Sequence, residues 1–261
     1  MAPQQKLIIL GGGESGTGAA LLGKSKGFDV FLSDKNPLQE KYRNILTGAA
    51  IPFEEGGHSE PVILAADLVI KSPGIPDEAD LIIKLHKKEI PVISEIEFAS
   101  RYTSASLIAI TGSNGKTTTT LLTYHLLRSA GLSVGLAGNI GDSFARQVLE
   151  KDFDFYVLEL SSFQLDNMYD FKADIAVLLN ITPDHLDRYK YSFDLYTQSK
   201  FRIVQNQTPH DTFIFNADDA VLTGELAKRH LTAGQLPVSL KAGPASAGFL
   251  SEGKLNFRIP G

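Results

Sequence analysis

Residues 108–127 read IAITGSNGKTTTTLLTYHLL, and the fold of the chain turns on them. A short apolar run, Leu107–Ile110, breaks into Gly112-Ser113-Asn114-Gly115-Lys116-Thr117-Thr118 and then into a helical pattern. Strand, glycine-rich turn and helix in that order are the setting a phosphate-binding loop needs. Backbone N–H groups from Gly112 to Thr118 would cradle phosphate oxygens. Lys116 would neutralise the β and γ oxygens, and the Thr117 hydroxyl would reach a Mg2+ ion. The match to G-x-x-x-x-G-K-S/T is one glycine short, because Ile110 stands at the first glycine position. Gly112 would supply the flexibility instead, and a plain helix cap is the competing reading.

Such a loop calls for a carboxylate to hold its metal, usually at the end of a neighbouring strand. Residues 155–160, FYVLEL, are apolar except for Glu159. A charge at the end of so apolar a run is costly without a cation partner, and a solvated strand end is the bland alternative. Another apolar run leads into NITPDHLDR, where His185 is either a metal ligand or a surface residue. Ligands of open α/β sheets gather beyond the carboxyl ends of strands, which is where His185 falls. Lys200, in YTQSKFRIV, reads by spacing as an ordinary helix-surface lysine. His58, His86, His125, His210 and His230 read as surface or packing residues.

A second glycine turn lies near the start, in LIILGGGESGTGAA at 7–20. Gly11, Gly13 and Gly16 form G-x-G-x-x-G between a strand and a helix. Asp34 ends the next strand at the spacing of a ribose-binding acid. Alone, the pattern fits NAD(P), another nucleotide diphosphate, or a structural tight turn.

Outward from the two turns, apolar runs alternate with helical patterns. Strands are expected at Lys6–Leu10, Asp29–Leu32, Leu68–Ile70 and Ile90–Ile93, with helices from the first turn to about Lys26 and over Leu81–Lys88. A second series has strands at Leu107–Ile110, Leu132–Leu136, Phe155–Leu160, Asp174–Leu179 and Thr212–Phe215. Between its first two strands a helix over Thr117–Ala130 is expected to bury Leu121, Leu122, Leu126 and Leu127 and to stop at Gly131. This βαβ rhythm means α/β architecture with parallel sheets. A Rossmann-like domain is expected over 1–98 and a P-loop domain over 99–261, with the boundary near Glu95–Thr103. GFLSEGKLNFRIPG, at 248–261, reads as a hairpin turning at Glu252–Lys254.

Of 261 residues, 25 are Lys or Arg and 30 are Asp or Glu, a net charge of -5 that argues against a general nucleic-acid binder. Cysteine is absent, which excludes disulfides and thiolate metal sites. MAPQQK opens no signal core and no later run is long enough to span a bilayer, so a cytoplasmic soluble protein is expected.

LGGGESGTGAA, VIKSPGIP, AITGSNGKTTTT, GNIG, LELSSFQL, NITPDHLDRY and FNADD occur in this order over nearly the whole chain. Together they resemble the Mur ligases of peptidoglycan synthesis. The P-loop alone would mark only the wider superfamily, which includes folylpolyglutamate synthase. SPGIP, ELSSFQL and DHLDR together look like the D-glutamate-adding branch, with another branch of the family as the alternative. The resemblance implies that the first turn holds UDP rather than NAD. Glu14, Ser15, Asp34, Lys35, Asn36, Ser72, Pro73 and Gly74 match positions lining the uridine diphosphate, Lys35 and Asn36 falling where the family varies. The second turn would hold ATP, with Lys116 and Thr117 at the phosphate and Mg2+ positions and Glu159 as a metal ligand. Asn139 and His185 match residues near the reacting carboxylate and a second Mg2+, and Ser161 falls on the substrate side. Lys200 matches a lysine the family carbamylates, giving an anion that helps position metal.

The implied reaction is acyl-phosphate chemistry. The carboxylate of UDP-N-acetylmuramoyl-L-alanine attacks the γ-phosphate of ATP. The amine of D-glutamate then attacks the mixed anhydride, giving an amide, ADP and phosphate. Lys116 and two Mg2+ ions would neutralise the approaching anions. No nucleic-acid or membrane partner is implied, and the parent protein is expected to be a monomer.

Family members also carry a Gly-x-His-Asn segment against the adenine and a third domain, and neither occurs before Gly261. A truncated, catalytically inactive chain that still binds the UDP substrate is therefore expected, with apolar surface near the hairpin. An NAD(P)-dependent oxidoreductase using the first turn would leave Lys116, Glu159 and His185 unexplained. A nucleotide-sensing module without chemistry is the other rival.

Overall fold

The computed structural model of the chain describes residues 4–241 and 246–258. Residues 1–3 of MAPQQK and 259–261 of the hairpin stretch lie outside them. Contacts divide the chain into two compact units. The first runs up to Ser104 and also collects Leu136–Asp152 and Asn167–Phe171; the second takes Ala105–Gly135, Phe153–Asp166 and the residues from Lys172 on.

The first unit is built on β1 (Lys6–Leu10), α1 (Glu14–Ser25), β2 (Asp29–Asp34), α2 (Glu40–Gly48), β3 (Phe53–Glu55), α3 (Glu60–Ile63), β4 (Leu68–Lys71), α4 (Asp80–Lys87), β5 (Val92–Ile93) and α5 (Glu95–Ser100). Its sheet has the order β3-β2-β1-β4-β5, all parallel. Central β1, KLIIL, is buried along Leu7–Leu10, the unbroken apolar run expected of a strand covered on both faces. α1 can pass close to the end of β1 because residue 16 is glycine: a Cβ there would lie 1.9 Å from the carbonyl oxygen of Gly11. β5 is shorter than the sequence suggests. The N–H of Ile90 bonds back to Leu85 O at 3.1 Å, closing the preceding helix, and Pro91 has no N–H to give.

In the second series, β6 (Ser106–Thr111) leads into α6 (Lys116–Ser129), followed by β7 (Val134–Gly138), α7 (Phe144–Glu150), β8 (Phe155–Glu159), α8 (Ser162–Asp166) and β9 (Ile175–Leu178). After a 3-10 turn at Leu186–Tyr189 come α9 (Phe193–Phe201), β10 (Thr212–Asn216), α10 (Ala220–Leu226), β11 (Gly234–Ser239), β12 (Gly248–Ser251) and β13 (Lys254–Phe257). The sheet order is β13-β12-β11-β10-β9-β6-β8-β7. β12 and β13 are the expected antiparallel hairpin, with Ser251 paired to Lys254 across Glu252 and Gly253. The parallel pairing of β6 with β9 and β8 sets the carboxyl ends of these strands along one edge, Ile110 opposite Glu159 and Thr111 opposite Leu178.

The buried face of α6 differs from the expected one. Leu121, Leu122 and Leu126 are 45%, 55% and 57% exposed. Thr120 is buried, and Tyr124 and Leu127 pack on Ile108, Ile110, Val134 and Val157. Positions 120, 124 and 127 fall within one narrow stripe at 3.6 residues per turn, and the other leucines lie a sixth of a turn or more outside it. The P-loop sets the phase at which the helix begins, so leucine content does not choose the face. Gly131 follows as expected, at φ +84 just beyond the helix end.

Candidate functional site

In the first unit, a cleft of ≈ 390 Å³ opens beyond the carboxyl ends of β1, β2 and β4. Gly11, Asp34, Lys35, Asn36, Ser72 and Gly74 line it, so these sequence candidates converge, with Pro73 between the last two. The Asp34 carboxylate is engaged by backbone: Oδ2 accepts from Gly12 N at 2.7 Å and Oδ1 from Asn36 N at 2.8 Å. It therefore ties the glycine turn to the turn after β2. Glu14 and Ser15 occupy the first turn of α1, where Glu14 accepts from Tyr42 OH at 3.2 Å. Lys71, buried at the end of β4, donates to Ile75 O at 2.7 Å and pairs with Asp77 at 2.8 Å, closing the loop that carries Ser72 and Gly74.

His58 also lines this cleft, which corrects its reading as a surface or packing residue. Its signal was a histidine set among glycines, GGHSE, just past a strand end at the ligand-bearing edge.

In the second unit, Gly115 adopts φ +83 immediately before α6, a conformation that suits glycine and aims the helix N-terminus outward. Asn180 clamps the loop from the end of β9: its Oδ1 accepts from Asn114 N at 2.8 Å and its Nδ2 donates to Asn114 O at 2.9 Å. Ser113 Oγ meets Tyr196 OH and Thr182 O, each at 2.9 Å. Lys116 Nζ folds back on the loop, donating to Gly112 O at 2.8 Å and Ser113 O at 2.9 Å. Thr117 and Thr118 are exposed in the first turn of α6.

Lys200 is no surface lysine. It is 2% exposed and donates to Thr111 Oγ1 at 3.1 Å and to Gly112 O at 3.0 Å, the carbonyl that Lys116 also uses. Burial, and then the charge of Lys116, push the Lys200 amine down to about 7, against smaller opposing effects of Asp184, Asp166 and Glu159. Spacing misled because the buried side of α9 includes Thr197, Ser199 and Lys200, so no apolar stripe marks it. Glu159 is 1% exposed at the end of β8. Ser161 caps α8, its Oγ and N both directed at Gln164 Oε1 at 3.1 and 3.0 Å.

His185 stands apart from these buried groups. It is largely exposed, 3.7 Å from Asp184, with its ring 5.3 Å from Phe163. Its backbone is left-handed at φ 47, as are Lys190 and Tyr191 in the same loop, a concentration of strain typical of functional segments. Among the described residues, no three His, Asp or Glu side chains gather as a metal cluster. Glu159 and Thr117 do present the hard oxygen donors that Mg2+ prefers.

Asn139 belongs to the first unit, exposed in the loop after β7. That loop is fixed from beneath. Gln147 Nε2 donates to Leu136 O at 2.6 Å, and buried Glu95 accepts from Ser143 Oγ at 2.7 Å and Ala145 N at 2.6 Å. Burial pushes the Glu95 carboxyl up to about 7, against the pull of those hydrogen bonds.

A glycine-turn unit with an open cleft, joined in one chain to a P-loop unit carrying a buried lysine and a buried glutamate, defines an α/β protein of two glycine-turn units. Residues 110–248 match the Mur ligase middle domain and residues 6–81 the MurD N-terminal domain. The chain belongs to the Mur ligase family. It is 59% identical over 235 residues to the UDP-N-acetylmuramoylalanine--D-glutamate ligase of Bacteroides fragilis, covering 90% of this chain and 53% of that protein. To the ligase of the same name from Bacteroides thetaiotaomicron it is 55% identical over 256 residues, 98% of this chain and 58% of the relative. The chain thus spans a little over half the length of these curated relatives. The crystal structure of UDP-N-acetylmuramate:L-alanyl-gamma-D-glutamyl-meso-diaminopimelate ligase from Neisseria meningitides shares the fold, with a TM-score of 0.63 at 21% identity over 90% of this chain and 78% of that one.

Proposed function

We propose that this chain carries the UDP-substrate and ATP sites of an amide ligase that joins D-glutamate to UDP-N-acetylmuramoyl-L-alanine through an acyl phosphate, releasing ADP and phosphate. The observation that carries the reading is the pair of lysines on one carbonyl. Lys116 and Lys200 both donate to Gly112 O, on the sheet edge where Glu159 ends β8.

Lys116 is the cation for the β and γ oxygens, and on nucleotide binding it exchanges its loop carbonyls for phosphate. Glu159 and Thr117 would hold a divalent cation, whose chemistry is to draw charge from the phosphoryl oxygens during transfer. Lys200, with its amine near 7, has a substantial neutral fraction at neutral pH. A neutral amine can add to CO2, losing one proton to give a carbamate anion, and a cationic one cannot. His185 and Asn139 are assigned the second cation and the substrate carboxylate on family resemblance, with Ser161 on the substrate side.

In the first unit, the N–H groups at the start of α1 face the diphosphate, and Asp34 holds the glycine turn in shape for it. Lys116→Ala is expected to abolish ATP binding in calorimetry while leaving UDP binding within twofold of wild type. Unchanged ATP affinity in that variant would overturn the assignment.

A further inference from the structure

We propose that His58 is a specificity-determining residue of the first-unit cleft, presenting its Nε2 as an acceptor to a hydrogen-bond donor of the bound nucleoside. The inference rests on the uridine reading and adds to it a residue that no family motif above includes.

Ser33, on β2, has no exposed surface. Its Oγ lies 2.7 Å from Glu54 Oε1, 2.6 Å from His58 Nδ1, and only 3.5 Å from Gly57 O. A hydroxyl has one proton to give. Glu54 accepts also from Ser59 N at 2.8 Å. Burial tends to raise its pKa, but the hydrogen bonds from Ser59 and Ser33 hold it below its ordinary value. Glu54 is thus a carboxylate at neutral pH and can only accept, so the serine proton points to it. Ser33 Oγ must then accept from His58, which fixes the proton of a neutral imidazole on Nδ1. Nε2, on the opposite ring edge, is left with a bare lone pair, and no side chain or backbone group among the described residues bonds to it.

The cleft supplies a reason for such an acceptor. The acid that ends the second strand commonly reads ribose hydroxyls. Here both oxygens of Asp34 already accept backbone N–H groups. His58 stands on the same side, past the end of the neighbouring strand β3. A uridine nucleotide offers donors of two kinds, the imide N3–H of uracil and the ribose hydroxyls. A cytosine base at the same place would set its own N3 acceptor against Nε2.

The test titrates the chain calorimetrically with UDP, CDP, 2′-deoxy-UDP and 3′-deoxy-UDP, for wild type, His58→Leu and Ser33→Ala. His58→Leu is expected to weaken UDP about tenfold, and Ser33→Ala, which frees the tautomer, by a smaller factor. If Nε2 meets the base, wild type prefers UDP to CDP about tenfold and His58→Leu loses the preference. If it meets the ribose, UDP and CDP bind alike, and one deoxy analogue binds wild type as weakly as UDP binds the variant. UDP affinity unchanged in a folded His58→Leu variant overturns the proposal alone. Failure of wild type to bind UDP overturns the uridine reading and the proposal with it. Nitrogen-15 NMR of the wild-type imidazole at pH 8 decides without any variant: a protonated Nδ1 and a bare Nε2 whose resonance moves on adding UDP are expected, and an Nε2–H tautomer overturns the proposal.

Discussion

Two buried ionisable groups give the chain opposite responses to pH. Glu95 is 4% exposed, with its carboxyl raised from 4.5 to about 7 chiefly by burial. Between those values the folded state holds a proton the unfolded state has lost. The stability this supplies is complete below pH 4.5 and is lost as pH rises through 7. Lys200 is lowered from 10.5 to about 7, so the unfolded state holds the extra proton and stability rises with pH between 7 and 10.5. Urea unfolding across pH is expected to show both limbs, on the order of 3–5 kcal/mol each. Glu95→Gln should flatten the acid limb and Lys200→Met the alkaline one, and a limb that persists in its variant contradicts the assignment. At this scale the sequence was uneven. Lys116 drew attention through the glycine-rich turn before it, and Glu159 because a charge at the end of an apolar strand asks for a reason. Lys200 drew none, because buried Thr197 and Ser199 break any apolar stripe on α9 and its hydrogen-bond partners lie 88 and 89 positions away. His58 was missed likewise, because its partner Ser33 lies 25 residues back on another strand.

Element by element, strands were read better than helix faces. β1, β4, β6 and β8 announce themselves as short apolar runs because parallel strands are covered on both sides. α6 carries four leucines over 121–127, yet its contact with the sheet falls to Thr120, Tyr124 and Leu127. Replacing Leu122 by Gln is therefore expected to change unfolding free energy by less than about 0.5 kcal/mol, as surface substitutions do. A cost of about 2 kcal/mol or more, in the range of a core deletion, would place the residue in contacts the structure lacks. Gly16→Ala is the opposite case, since the new Cβ would collide with the carbonyl oxygen of Gly11. It should lower stability by about 2 kcal/mol or more and weaken UDP binding, measured by denaturation and titration of the same variant. Wild-type stability in Gly16→Ala would contradict the close approach of α1 to β1.

At the level of the whole chain, two glycine-rich turns each open a unit with its own sheet, which is what their spacing in the sequence suggested. The make-up of those units was not legible. Leu136–Asp152 and Asn167–Phe171 fall inside the P-loop half of the sequence but pack with the first unit. The contacts responsible, from Glu95 to Ser143 and Ala145 and from Glu97 to Tyr169–Phe171, join residues 48–74 positions apart and leave no local pattern. On the proposed function, two nucleotides would be handled by two cores and should act on separate parts of the molecule. The most direct measurement is a paired calorimetric titration of wild type and Lys116→Ala with Mg-ATP and with UDP. Wild type is expected to bind both, and the variant to bind UDP alone at wild-type strength. ATP binding that survives the substitution, or UDP binding that vanishes with it, would contradict the account.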